Sequence, residues 1–478
     1  MGYVYSHQRI FSAFLLGFAA WCFLNGIAYG KVIRVRDAGA HNVLLQSVVD
    51  AASEGDTILV GPGIYKGNLV IRKKGLKLIG EGRPVIQGEK KGTAVMIMGD
   101  DCLLKGFVVK GGGRDLTRDD SGIKFKKCNR SVVENCEFYD NCFGCYFYQS
   151  DHCIFRNNLI EGRKYEVQED RGNGIHLWDS AYYLIEGNEI RYARDGIYVS
   201  FANYGTIKGN WIHHTRYGLH YMYSKHNAFI DNLLTHNVAG AAVMYSKHMK
   251  WNRNVFAHNR GFRAYGVLWQ DARICECHDN LVVDNTIGLY FDQALKADVR
   301  GNMVIWNDRA AVLLENSELN TIYENNFIDN LSELQLRGGT QKGRNNKFYK
   351  SKRGNYWSDY KGYDLDGDGV GDTPHVLQDI FEYLVADYPA YRLYLFSPAA
   401  QAMAIAEKAL PIIEVTKEAI DPYPLMHPVK IKEMDKLFAK LKKAGGCPSK
   451  GAKGILMVFS VLILGISILV FGKGNRVW

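Results

Sequence analysis

The chain has 478 residues, a formal net charge of +9, 47% hydrophobic and 12% aromatic residues, 49 Gly and only 10 Pro. This composition excludes disorder and fits a chain with many tight turns. A basic balance admits nucleic acid as a partner, but the N-terminus removes it. Arg9 precedes an apolar run from Phe11 to Phe23, and the small-x-small triplet Ala28-Tyr29-Gly30 follows. Residues 1–30 read as a secretory signal cleaved before Lys31, so the mature chain is exported. Trp21 stands where a lipid-modification site at Cys22 needs a very small residue, which excludes a lipoprotein.

Asn42, then Leu44, Leu45, Val48, Val49 and Ala52, then Gly55 predict a short amphipathic helix over 42–54 with a cap at each end, placed to plug the open end of a stack of repeats. From Asp56 onward a 22-residue period takes over. Gly174-Ile175, Gly196-Ile197, Gly218-Leu219 and Gly240-Ala241 keep that interval, and Gly266-Val267 and Gly288-Leu289 resume it after a four-residue insertion. Apolar residues alternate within each copy, which is strand spacing rather than helix spacing. The expected fold is all-β, a right-handed parallel β-helix over residues 31–342, with on the order of a dozen coils stacked at roughly 4.8 Å.

Asn188, Asn210, Asn232, Asn254, Asn280 and Asn302 run in step with the Gly series and predict a hydrogen-bonded ladder at one corner, in the left-handed backbone that Asn tolerates. A second ladder follows five residues later, at Asn237, Asn259, Asn285, Asn307 and Asn330. The charged segment Arg163 to Gly172 is an insertion that should loop outward. Nine cysteines remain after the signal, an odd number that excludes a complete disulfide framework. Cys145 and Cys277 fall in register with inward apolar positions and read as buried core residues.

Beyond the coils, residues 343–429 form a C-terminal extension in which Asp364, Asp366, Asp368 and Asp372 alternate around Gly367 and Gly369, the pattern of a Ca2+-ordered loop. His375 stands where an EF-hand would place Glu, so this is not an EF-hand. Residues 430–453 carry Lys430, Lys432, Lys436, Lys440, Lys442 and Lys443 around Ile431, Met434, Leu437, Phe438 and Leu441. This is a basic amphipathic segment suited to anionic lipid, a membrane partner or solvent. Residues 454–472 are 19 uncharged residues, about 28 Å of helix, and predict a transmembrane span.

In each coil the positions two and four after the Gly project outward. They are Tyr146 and Tyr148, His176 and Trp178, Tyr198 and Ser200, His220 and Met222, Ala242 and Met244, Leu268 and Gln270, Tyr290 and Asp292. Aromatics, Met and His here mark a surface that touches a partner, with Tyr146, Tyr148, His176, Trp178 and Tyr198 at its centre. Met222 and Met244 sit on adjacent coils with His220 on the same face, a thioether and imidazole group that suits Cu(I). His214, His236 and His258 stack at one corner as a second set of metal ligands, or as solvated turn residues. No G-x-x-x-x-G-K-[ST] loop is present, so energy from ATP must come from a partner.

The strings Gly354-Asn355-Tyr356-Trp357-Ser358-Asp359-Tyr360, Asp421-Pro422-Tyr423-Pro424-Leu425-Met426-His427-Pro428-Val429, His220-Tyr221-Met222-Tyr223-Ser224 and Val243-Met244-Tyr245-Ser246 resemble the periplasmic NosD family. The resemblance implies a non-enzymatic maturation factor for nitrous oxide reductase. Such a factor works with an ABC transporter ATPase and permease, and with a copper chaperone lipoprotein, to deliver copper transiently to the reductase. The membrane span is an addition to the family pattern and implies anchorage at the periplasmic side of the inner membrane. The competing reading is a polysaccharide-binding or polysaccharide-modifying protein, a lyase or epimerase. Against it, the outward strand positions above offer Asp292 alone, while hydrolysis needs paired carboxylates.

Overall fold

The 22-residue period folds as three short strands per coil, each pairing in parallel with its counterpart one coil away. A computed structural model describes residues 30–35, 44–338, 345–377, 402 and 420–445. The strands assemble three parallel sheets, sheets 1 and 2 of 13 strands each and sheet 3 of 12. In one coil, Thr206–Lys208 belongs to sheet 1, Trp211–His213 to sheet 2 and Tyr217–Met222 to sheet 3. Inward residues stack like on like, as Ile175, Ile197, Leu219, Ala241, Val267 and Leu289 do, and all six are fully buried. The repeating Gly serves close approach. A Cβ on Gly196 would collide with Ile212 Cγ2 and with the Gly218 carbonyl oxygen of the next coil.

Both Asn ladders are present. Asn210 donates its backbone N–H and its side-chain amide to Asn232 Oδ1, each at 2.9 Å, and the pattern repeats from Asn188 to Asn302 and on to Asn355. The left-handed residue is not the ladder Asn, however, but the one before it: Gly187, Gly209, Asp231, Arg253, Asp279 and Gly301 carry φ between 53° and 65°. The turn thus puts the strain on one residue and leaves the next free to aim its amide inward along the stack.

Helix α1 (Leu45–Ala51) buries Leu45 and Val49. Gln46 accepts from the Val70 N–H at 2.7 Å and donates to its carbonyl at 3.1 Å, closing the first rung of sheet 3. The helix starts later than expected, with Leu44 at the N-cap position and no side-chain cap, and Asn42 lies outside the described residues. The 163–172 insertion loops outward, with Tyr165 92% exposed, yet Arg163 turns back and donates to the Gly113 carbonyl at 3.2 Å. The eight described cysteines are all free and buried. Burial pushes the Cys136 and Cys275 thiols up to about 12, so they are inert core residues.

The coil pattern continues in the described residues beyond 345: Tyr356–Trp357 adds the last strand of sheet 2 and Asn355 extends the Asn ladder. Asp421 is fully buried and accepts from the Asn355 N–H and Trp357 Nε1, which locks 420–425 onto this end. Helix α2 (Met434–Lys443) corrects the membrane-surface reading of the basic segment. Its apolar face is already occupied: Met434, Leu437 and Leu441 are buried against Leu233, Val255, Ala257, Leu281, Val283 and Ile305 on the outer face of sheet 2. Each such side chain contributes about 2 kcal/mol of burial, and moving α2 onto lipid would expose the apolar face of sheet 2 that it covers. Among the described residues no helix is long and apolar enough to cross a membrane. Residues 1–29 of the 1–30 signal and the span at 454–472 lie outside the described residues.

Candidate metal-exchange site on sheet 3

Coil stacking brings the three proposed Cu(I) ligands onto one strip. Met222 is the register partner of Met244, and His220 that of Ala242. Both Met side chains are half-buried, and His220 is only 7% exposed, so the strip is less open than its outward pointing suggested.

The neighbours of the imidazole explain why it is sheltered. The Tyr198 and Tyr217 rings meet it edge-on, at 4.8 Å and 5.0 Å between centroids. Asp195, fully buried one coil back, accepts from His220 Nδ1 at 3.1 Å and from Arg216 Nε and Nη2 at 2.8 Å each. A carboxylate can only accept from that ring, so Nδ1 carries a proton, and in the neutral tautomer Nε2 is the nitrogen with the lone pair. His220 Nε2 is buried and has no hydrogen-bond partner. A carboxylate-held imidazole with its second nitrogen free is how proteins orient a metal-binding His. Burial works against the Asp195 charge, but the bonds from His220 and Arg216 outweigh it and hold the carboxyl below its usual range. Met222 Sδ accepts a hydrogen bond from the Tyr198 hydroxyl at 3.3 Å.

The expected partner surface is only partly open. Tyr146 is 5% exposed and stacks on His176 at 4.5 Å, with Lys124 on its other side. Burial pushes His176 down to about 3, so it stays neutral. Tyr148 and Trp178 stack at 5.0 Å and remain half-buried at the rim, as does Tyr198.

His214, His236 and His258 do stack, ring on ring, at 5.5 Å and 5.0 Å. Stacked rings put their nitrogens in a column, and these three do not gather: among the described residues the one group of three or more His, Cys, Asp or Glu ligand atoms within 4.8 Å of one another is Asp364, Asp366 and Asp368. The His nitrogens are used locally instead. His214 Nδ1 lies 2.7 Å from His213 Nδ1, and His258 donates to Asp284 at 2.6 Å. In the Asp loop, Asp364 accepts from the Gly367 and Gly369 N–H groups, and Asp372 accepts from the Leu365 N–H at 2.6 Å. These are Asx-type turns that shape the loop.

Three features escaped the sequence reading. Asp195 and Arg216 are one; their 21-residue spacing is one short of the period, a diagonal contact between coils. Glu315 is another, the register partner of Asp292. The third is a pair of exposed ring ladders at the next corner. Phe201, Tyr223 and Tyr245 stack at 5.2 Å per step, and Tyr182, Tyr204, His226 and His248 stack at 5.2, 5.1 and 4.7 Å. The repeated pentapeptides at Met222 and Met244 were its visible trace.

A sequence profile of the family described as periplasmic copper-binding protein (NosD) matches residues 49–170 and 159–362. A protein of Stutzerimonas stutzeri named probable ABC transporter binding protein NosD is 34% identical over 386 residues, covering 76% of this chain and 85% of the relative. Its namesake in Pseudomonas aeruginosa is 34% identical over 385 residues, covering 76% and 86%. Solved structures with similar coils include a family 28 exopolygalacturonase of Yersinia enterocolitica, 9% identical with a TM-score of 0.49 over 67% of this chain and 78% of that one. The A-module of a mannuronan C-5 epimerase from Azotobacter vinelandii is 14% identical, with a TM-score of 0.41 over 69% of this chain and all of that one. The profile spans most of the solenoid and the two relatives match across three quarters of the chain, so this protein belongs to the NosD family.

Proposed function

We propose that this chain is a non-enzymatic, exported component of an ABC-transporter-linked pathway that passes copper to nitrous oxide reductase, and that Cu(I) is its transient cargo at His220, Met222 and Met244. The observation that carries the reading is the buried His220 Nε2, without a hydrogen-bond partner, on a ring held by Asp195 and carried by the same strip as two register-paired thioethers. Two soft sulfurs and one neutral imidazole select Cu(I) over harder ions, and three ligands leave a position for a donor or acceptor protein to attack. Cargo exchange needs that open position. The names of the relatives support the transporter link, and the family description supports copper and the periplasm. In the same reading the uncharged stretch 454–472 keeps the solenoid at the periplasmic side of the inner membrane, within reach of the permease and of a lipoprotein chaperone.

Anaerobic Cu(I) titration of the full chain against a competing chelator tests this. Met222→Ala is expected to weaken binding about tenfold, equivalent to ~1.4 kcal/mol. Equal affinity in the variant and the parent would remove the site.

One observation favours the polysaccharide reading. Asp292 and Glu315 are adjacent carboxylates on neighbouring coils, and burial together with Glu315 raises Asp292 above its usual range. Glu315 is already engaged by the Tyr290 hydroxyl at 2.5 Å, which leaves one free carboxylate rather than an acid and base pair. Cleavage of a uronate polymer that is lost in Asp292→Asn would reverse this ranking.

A further inference from the structure

Tyr198 joins the proposed site by its hydroxyl alone. Its ring is fixed between two imidazoles, His176 at 4.7 Å and His220 at 4.8 Å, so the ring cannot swing away without unpacking both. Its hydroxyl is free to rotate about one bond and donates to Met222 Sδ at 3.3 Å.

A thioether is a weak acceptor with little electron density to share. A hydroxyl aimed at Met222 Sδ draws on the same lone-pair density that a soft cation must use. We propose that Tyr198 is the affinity-setting residue of this strip: in the cation-free protein its hydroxyl caps Met222 Sδ, and a soft monovalent cation that takes that sulfur displaces it. The phenol keeps its proton throughout. Cation binding then costs the O–H···S contact, and cation release is helped by its return. The proposal rests on the Met222 reading of the preceding subsection and adds a competitor to it. It also gives a physical reason why a preorganised His and two Met need not trap their cargo.

The test uses the full chain, prepared anaerobically, with Cu(I) and the redox-inert probe Ag(I) titrated against a chelator. Tyr198→Phe keeps the ring and removes only the hydroxyl. It is expected to bind either cation about fivefold more tightly, the size of one net hydrogen bond, and to release it more slowly. A purely structural role for Tyr198 predicts weaker binding, so the sign of the change is diagnostic. In a Met222→Ala background the same substitution is expected to do nothing, because the competitor has lost its target. Methyl NMR of the cation-free chain, labelled at methionine, reads the contact directly, and the Met222 methyl resonance should move in Tyr198→Phe. Unchanged or weaker binding in Tyr198→Phe, with Met222→Ala still impaired, overturns the cap and leaves the site standing. Undiminished binding in Met222→Ala overturns the site and the cap together.

Discussion

Asp195→Ala is expected to weaken Cu(I) binding by about tenfold to a hundredfold and to destabilise the fold by about 3 kcal/mol. The affinity loss follows from the tautomer. Without the carboxylate, nothing holds the proton on His220 Nδ1, and the ring loses the bond that fixes its orientation. The stability loss follows from the Arg216 guanidinium, which donates twice to Asp195 and keeps no comparable partner once it is gone. Cu(I) titration and thermal unfolding of the same samples separate the two effects. Asp195→Asn should recover part of the stability but little of the affinity. The pH dependence has a definite sign. Because the folded carboxyl titrates below its unfolded value, its stabilisation is fully present above the unfolded value and disappears as the pH falls through the folded one. The parent should therefore lose stability in acid more steeply than Asp195→Asn. Identical affinity in Asp195→Ala and the parent would show that His220 is not a ligand held by this carboxylate.

The second large effect is in the wall that carries the site. Asn232→Ala is expected to cost about 4 kcal/mol, near 1 kcal/mol for each buried hydrogen bond lost. Those bonds run from Asn232 Nδ2 to the Ile207 and Ile230 carbonyls, and from the Asn210 N–H and side-chain amide to Asn232 Oδ1. Asn232 is fully buried, so no water replaces them. Chemical denaturation followed by circular dichroism measures the loss. Thr206→Ala, on the outer face of sheet 1, serves as the control and should change stability by about 0.5 kcal/mol or less. In a solenoid each coil is stabilised by its neighbours, so the damage should include the strands of sheet 3 that hold Met222 and Met244. A loss no larger than that of Thr206→Ala would mean that the ladder is decorative.

The coils were legible because their chemistry repeats. Gly at the close approach, alternating apolar residues and Asn at the corner each return every 22 residues, and the register they imply pairs Met222 with Met244 as observed. Contacts that run obliquely between coils do not repeat, so they left no trace. Asp195, Arg216 and His220 are 21 and 25 residues apart and meet only because the backbone winds. Amphipathicity gave a similar half-answer. The apolar stripe of α2 was plain in the sequence, but a stripe does not say what it covers, and here it covers sheet 2. The histidine column stacks as the period implied, but period alone places rings one above another without saying where their nitrogens point, so it left metal ligands and turn residues as alternatives. Glu315 was missed for a plainer reason: a 23-residue step separates it from Asp292, one more than the period.

Copper K-edge X-ray absorption of the anaerobically loaded full chain tests the central claim most directly. The account predicts a shell of mixed sulfur and nitrogen scatterers, with the sulfur contribution reduced in Met222→Ala and the nitrogen contribution reduced in His220→Ala. A shell of nitrogen and oxygen alone, or one that neither substitution alters, would contradict it.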